Sequence, residues 1–195
     1  MGDIWAQLAN YRKMKTLPDG SRLLLRPLSK DDKAALVDLF ARAPAEELKY
    51  FRDDAADAAV VESWVDNLDL KRVYPLVAIV DDERGHALIV GDATLHFRER
   101  YHRHLAWVRI FLDRDYRRRG IGTLMLRSLI EIARTVGLQQ LYIEVVSTQH
   151  NVIKALLDQG FQHEVTLHDY FMTSEGETLD MSVLGLKLVD RSGEF

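Results

Sequence analysis

The residues whose types and spacing suit chemistry begin at Arg117: three consecutive arginines, Arg117-Arg118-Arg119, followed by Gly120-Ile121-Gly122-Thr123. The apolar run Val108 to Leu112 precedes them and an amphipathic run follows, so the stretch reads as a strand, a basic turn and the start of a helix. That layout binds anions. A helix N-terminus leaves about four backbone N–H groups without partners, and the helix dipole places roughly half a positive charge there. Gly120 and Gly122 remove the side-chain bulk that would keep a phosphate from those amides. Two familiar phosphate motifs do not fit. A Walker loop ends in Gly-Lys-Ser/Thr, and a dinucleotide fingerprint has a third glycine where Met125 stands. What remains is Arg117-x-x-Gly120-x-Gly122, for which a glycine-eased turn with solvated arginines is the competing reading.

Arg109 is the second residue of interest. Alternation along Leu105 to Leu112 puts Trp107, Arg109 and Phe111 on one face, and a charge inside an interior strand is costly unless paired. Two readings stand: an ion pair with Glu144 on a neighbouring strand, or a planar fork that holds a carboxylate or phosphate of a second substrate. Other chemistries find no support. The chain has no cysteine, which excludes thiolate nucleophiles and thiolate metal sites. Its histidines lack ligand spacing such as His-Glu-x-x-His, and no Gly-x-Ser-x-Gly elbow is present, so no metal is expected.

With 195 residues, 47% hydrophobic and 29% charged, the composition is that of one soluble globular domain. A formal charge of −4 argues against a protein that coats nucleic acid. The basic run Arg98 to His104, interleaved with Tyr101, is explained equally well as an exposed hairpin loop. No apolar run approaches the roughly 20 residues of a membrane span, and Met1 to Lys15 carries no apolar signal core, so a cytoplasmic protein without membrane contact is expected.

The elements that must position these residues follow from periodicity. Residues 1–20 read as an N-terminal arm or short helix ending at Pro18-Asp19-Gly20. A strand over Arg22 to Leu28 leads to a capping box, Ser29 with Asp32, opening a helix to about Arg42. A second helical segment covers about Asp54 to Leu68. Strands over Tyr74 to Val80 and His86 to Phe97 flank the polar connection Asp81 to Gly85, and the strand Leu105 to Leu112 comes next. The helix Gly120 to Val136 carries Ile121, Leu124, Met125, Leu129, Ile132, Ala133 and Val136 as one buried stripe, closed by Gly137. A strand over Leu141 to Val146, a helix over Gln149 to Gln159, and strands over Phe161 to Met172 and Leu179 to Leu188 complete the domain, 21–189, before a tail at 190–195.

This order, together with Arg117-x-x-Gly120-x-Gly122, resembles the Gcn5-related N-acetyltransferase (GNAT) superfamily, whose Gln/Arg-x-x-Gly-x-Gly/Ala signature binds the pyrophosphate of acetyl-CoA. The resemblance implies a mixed α/β fold of the α+β type: a central, mostly antiparallel sheet, splayed between its fourth and fifth strands and flanked by helices. It implies acetyl-CoA as co-substrate and direct transfer of its acetyl group to a primary amine. Arg117, Arg118, Arg119, Gly120, Ile121, Gly122 and Thr123 would hold the pyrophosphate, and backbone groups of Ile110, Phe111 and Leu112 the pantetheine arm.

Further on, Tyr142-Ile143-Glu144-Val145-Val146-Ser147-Thr148-Gln149 with Gly160-Phe161 is similar to the family segment Leu-Glu-Val-x-x-x-Asn and its later Gly-Phe. Glu144 matches the glutamate that ribosomal-protein N-terminal acetyltransferases use as base; the alternative is a structural ion pair. Two positions depart from the pattern. Gln149 replaces the asparagine that contacts the cofactor, with Asn151 two residues out of register, and Leu156 replaces the tyrosine that protonates the leaving thiolate. Tyr170 or solvent would take over that second role. Trp107 and Arg109 are expected at the acceptor, whose identity stays open between a small molecule and a protein. A homodimer is compatible with the family, the N-terminal arm reaching a neighbour. A non-catalytic acyl-CoA-binding module is the alternative function.

Overall fold

Alternating strands and amphipathic helices build one mixed sheet flanked by helices. A computed structural model describes residues 3–51, 53–81, 85–173 and 175–189. The helices are α1 (Ile4–Ala9), α2 (Lys33–Ala41), α3 (Ala45–Leu48), α4 (Ala58–Asp66), α5 (Ile121–Thr135) and α6 (His150–Leu157). The strands are β1 (Lys13–Thr16), β2 (Arg22–Pro27), β3 (Val73–Asp81), β4 (Ala87–Phe97), β5 (Leu105–Leu112), β6 (Gln140–Val146), β7 (Gln162–Met172) and β8 (Thr178–Lys187). Their order in the sheet is β1-β2-β3-β4-β5-β6-β8-β7. The chain packs as two compact units, Met1–Thr94 with Ile110–Leu129, and Leu95–Arg109 with Ile130–Phe195.

In the first unit, the stretch expected as an arm is drawn into the sheet. β1 pairs antiparallel with β2, Lys13 opposite Leu25 and Thr16 opposite Arg22. The Tyr74 hydroxyl donates to the Leu8 carbonyl at 2.9 Å, which fastens α1, and burial pushes that hydroxyl's pKa up. The capping box forms as expected: the Ser29 N–H donates to Asp32 Oδ2 at 2.7 Å, and Arg26 grips the same carboxylate at 2.6 and 2.7 Å. It opens a short 3-10 turn that runs on into α2. Pro44 starts the single-turn α3, and the Asp57 side chain caps α4 through the Ala59 N–H, so the second predicted helix is shorter than its apolar pattern. Phe40, Phe51, Trp64 and Phe111 form an aromatic cluster, with centroids 5.1 Å apart for the stacked Phe40 and Phe111. Gly91 leaves room for α5: a Cβ there would lie 3.0 Å from Met125 Sδ and 3.1 Å from Leu112 Cδ1.

In the second unit, β5 and β6 pair in parallel, Leu105 with Gln140, Ala106 with Leu141 and Trp107 with Tyr142, where the ladder ends. β6 continues along β8, with Glu144 opposite Val183. β7 pairs antiparallel with β8, and the register shifts between His163 and Val165 and again between Leu167 and Phe171. Most of the connection predicted over Asp81 to Gly85, Ser174 and the tail at 190–195 lie outside the described residues.

Candidate functional site

Asp113 closes β5 and anchors the basic turn. Its N–H donates to the Val90 carbonyl at 2.8 Å, and its carboxylate accepts from the Asp115 N–H at 3.1 Å and from Arg42 Nε at 3.2 Å. A 3-10 turn, Arg114–Tyr116, leads into two left-handed residues, Arg118 at φ 60° and Gly120 at φ 79°, before α5 begins. Left-handed residues in a turn bring successive N–H groups to one side, a shape that gathers anions. The α5 ladder begins with the Leu124 N–H on the Gly120 carbonyl at 3.0 Å, so the N–H groups of Ile121, Gly122 and Thr123 lie ahead of it.

The three arginines divide the work. Arg117 grips Glu47 of α3 with both terminal nitrogens, one at 2.9 Å, and donates to the Leu112 carbonyl at 3.0 and 2.9 Å. Arg119 reaches Asp19 at 2.7 Å and the Asp115 carbonyl at 3.0 Å, and lies over the Tyr116 ring. Hydrogen bonds from the Ser21 hydroxyl and amide, with Arg119 beside it, hold the Asp19 carboxyl below the usual range. Arg118 is exposed and makes no ion pair with the described residues. Two arginines therefore brace the turn, and the third presents its charge.

The two glycines of the turn answer different needs. Gly120 is required by its positive φ, although a Cβ there would meet no neighbour within 4 Å. At Gly122 a Cβ would meet only Leu112 Cδ2, at 3.8 Å. Nothing in the protein demands glycine there, although in a helix it costs about 1 kcal/mol against alanine. A group packed on the backbone would.

In the second unit, Trp107, Arg109, Tyr142 and Glu144 follow the face set by the Trp107–Tyr142 pair. All four are half-buried. The Trp107 and Tyr142 rings lie 5.5 Å apart. Arg109 and Glu144 stand just past the end of the β5–β6 ladder. Leu156 is 4% exposed and packs inward, as a core residue does. Gln149 precedes α6 without a side-chain capping bond, and Asn151 is exposed in its first turn. Tyr170 is 56% exposed and lies in the second register shift of β7. The Asp169 N–H and His168 hold the Asp180 carboxyl there below its usual range. The order β6-β8-β7 puts Tyr170 two strands from Glu144, roughly 10 Å across the sheet. The structure thus puts Trp107, Arg109 and Glu144 on one face of neighbouring strands, with Tyr170 two strands from Glu144. Among the described residues no cluster of His, Asp and Glu is arranged to hold a metal ion.

The sequence model of the acetyltransferase (GNAT) family matches residues 35–161. The chain belongs to this family. The GNAT match spans the turn, α5, β6 and α6, the elements that carry most of the candidate residues. A ribosomal protein bS18 alanine N-acetyltransferase of Salmonella typhimurium is 31% identical over 67 residues, 34% of this chain. The chain spans about half the length of that relative, 45%. Among solved structures, the ribosomal-protein-S5-alanine acetyltransferase of Vibrio fischeri superposes with a TM-score of 0.74 at 18% identity, over 86% of this chain and 94% of that one. The Salmonella typhimurium protein yncA, solved with its cofactor acetyl-CoA, gives 0.69 at 19% identity, over 92% and 96%. These likenesses establish the fold, and GNAT proteins as a family are acetyl-CoA-dependent transferases.

Sequence reasoning missed the partner of Arg117. Glu47 lies 70 residues away in a helix of one turn, and no local spacing connects the two.

Proposed function

We propose that this GNAT protein is an N-acetyltransferase that passes the acetyl group of acetyl-CoA directly to a primary amine. The observation that carries the reading is the turn before α5, where a left-handed Arg118, a left-handed Gly120 and a Gly122 without a structural need surround unpaired helix-end amides. These groups suit a pyrophosphate, with Arg118 as the contacting cation and Arg117 and Arg119 as braces. Ile110, Phe111 and Leu112 offer backbone to the pantetheine arm, and Gln149 and Asn151 flank the start of α6. The transferase domain takes in 21–189 together with the edge strand β1.

Chemistry at the amine needs a base. The neutral amine nitrogen attacks the thioester carbonyl carbon, the tetrahedral adduct collapses, and the C–S bond breaks to release the coenzyme A thiolate. Glu144, half-buried on the open run of β6, takes the amine proton directly or through one water. A thiol of ordinary pKa, about 8.5, leaves as thiolate without much help near neutral pH. That removes the need for a general acid where Leu156 is buried and Tyr170 distant. Trp107 and Arg109 line the acceptor side. We assign the protein to the cytoplasm on the same reading; among the described residues no helix is long and apolar enough to cross a membrane.

The buried Leu156 also favours a second reading, an acyl-CoA-binding module without catalysis. Release of free thiol from acetyl-CoA, with a panel of amines, peptides and amino-sugars, separates the two. Glu144→Gln is expected to lower turnover about 100-fold while acetyl-CoA affinity stays within twofold. Unchanged turnover removes Glu144 as the base.

A further inference from the structure

A cavity of about 580 Å³ opens in the second unit, lined among others by Arg98, Glu99, His102, Trp107, Tyr142 and Glu164. It shares a sheet face with Glu144, because Tyr142 and Glu144 are two residues apart on β6. The floor is aromatic, formed by Trp107 and Tyr142 with ring planes 36° apart.

Two features set a carboxylate over that floor. The β7–β8 register runs from His163 opposite Leu184 to Val165 opposite Val183, so Glu164 is the extra residue of a bulge. Bulges re-aim side chains. The Glu164 side chain reaches Gly185, the ladder partner of Gln162, where a Cβ would lie 2.6 Å from Glu164 Oε1 and 3.1 Å from Tyr142 Cε1. A side chain at 185 would have to push the exposed Glu164 carboxylate aside. Among the described residues it has neither an ion-pair nor a hydrogen-bond partner.

A carboxylate beside two π faces is a recognition set for a cation. The chain already uses part of it: the Arg98 guanidinium lies 5.8 Å from the Trp107 ring centroid. Glu99 and Glu164 outnumber Arg98 among the acidic and basic side chains of the lining.

Building on the transferase reading, we propose that this cavity is an acceptor subsite for a second positive charge. An alkylammonium group would rest on Trp107 and Tyr142 against Glu164, while the amine to be acetylated lies at Glu144. Two residues of strand separate the positions by about 7 Å, the reach of a short alkyl diamine or a lysine side chain. The acceptor class is therefore a dicationic amine.

Thiol release from acetyl-CoA should be compared for cadaverine against pentylamine and ethylenediamine, and for Ala-Lys-Ala amide against Ala-Ala-Ala amide. The KM of the matched dication is expected about tenfold below that of its single-charge counterpart, and Glu164→Gln is expected to abolish most of that ratio. A ratio confined to the peptide pair identifies a peptide acceptor; one confined to the alkyl pair identifies a small polyamine. Equal KM values in both pairs, or a ratio unchanged in Glu164→Gln, overturn the proposal. Calorimetric titration with cadaverine, without acetyl-CoA, needs no turnover. Binding that weakens about tenfold in both Glu164→Gln and Gly185→Ala supports the site, and the absence of binding overturns it. If no amine releases thiol, the transferase reading fails by itself and the titration alone decides the cavity.

Discussion

Gly120 and Gly122 are the same residue put to different purposes. Gly120 serves the backbone, because at φ 79° a side chain is strained whatever the space around it; Gly122 has no such need, and on the proposed reading it makes room for the ligand. Gly120→Ala is expected to destabilise the protein by about 1–2 kcal/mol, read as a lower urea midpoint. Gly122→Ala is expected to hold or raise stability, since alanine is the better helix former by about 1 kcal/mol, yet to weaken acetyl-CoA binding at least tenfold in a direct titration. Equal losses of stability in the two variants would show that both glycines serve the fold. A parallel split is expected among the arginines. Arg118→Ala should reduce acetyl-CoA affinity about tenfold at unchanged stability, as removal of one exposed charged contact does. Arg117→Ala should lower stability first, because it leaves Glu47 and the Leu112 carbonyl without their donor.

Among the elements, the β2–α2 corner depends on a single carboxylate. Burial by itself would raise the Asp32 pKa, but the Arg26 guanidinium and the Ser29 hydrogen bonds outweigh it and hold the carboxyl below its ordinary range. A depressed native pKa means that the pair's stabilisation is complete above the unfolded value, about 3.9, and is lost as pH falls through the native one. Asp32→Ala is expected to cost about 3 kcal/mol at pH 7, and the gap from wild type should close as pH drops below about 4; urea unfolding at both pH values measures it. Elements with a strong period were legible in the sequence. β5 was expected over Leu105 to Leu112 and is found there, and α5 differs from expectation by one residue at each end. β1 and α3 escaped because four residues carry no period, and their existence rests on partners elsewhere in the chain. The turn of the candidate site was readable for the same reason as β5, being local. Glu164 and Gly185 were not, because a bulge exists only once two strands are in register.

For the whole molecule, a charge of −4 on 195 residues and two compact units describe a protein whose site chemistry is carried by short segments on a sheet scaffold. That sheet is open, and its two ends are β1 and β7. An open edge offers unpaired backbone groups to any passing strand. β1 reads Lys-Met-Lys-Thr and is largely exposed, while β7 is interrupted by two register shifts. Lysine on one border and bulges on the other are devices that stop sheets from growing end to end. Replacing Lys13 and Lys15 by isoleucine would turn β1 into a template for strand addition. The double variant is expected to form higher-order species in sedimentation and to bind an amyloid dye on mild heating, where the parent stays clear; a variant that remains dispersed would show that the lysines play no such part. The four residues of the short β1 would then set how crowded a solution this protein can endure.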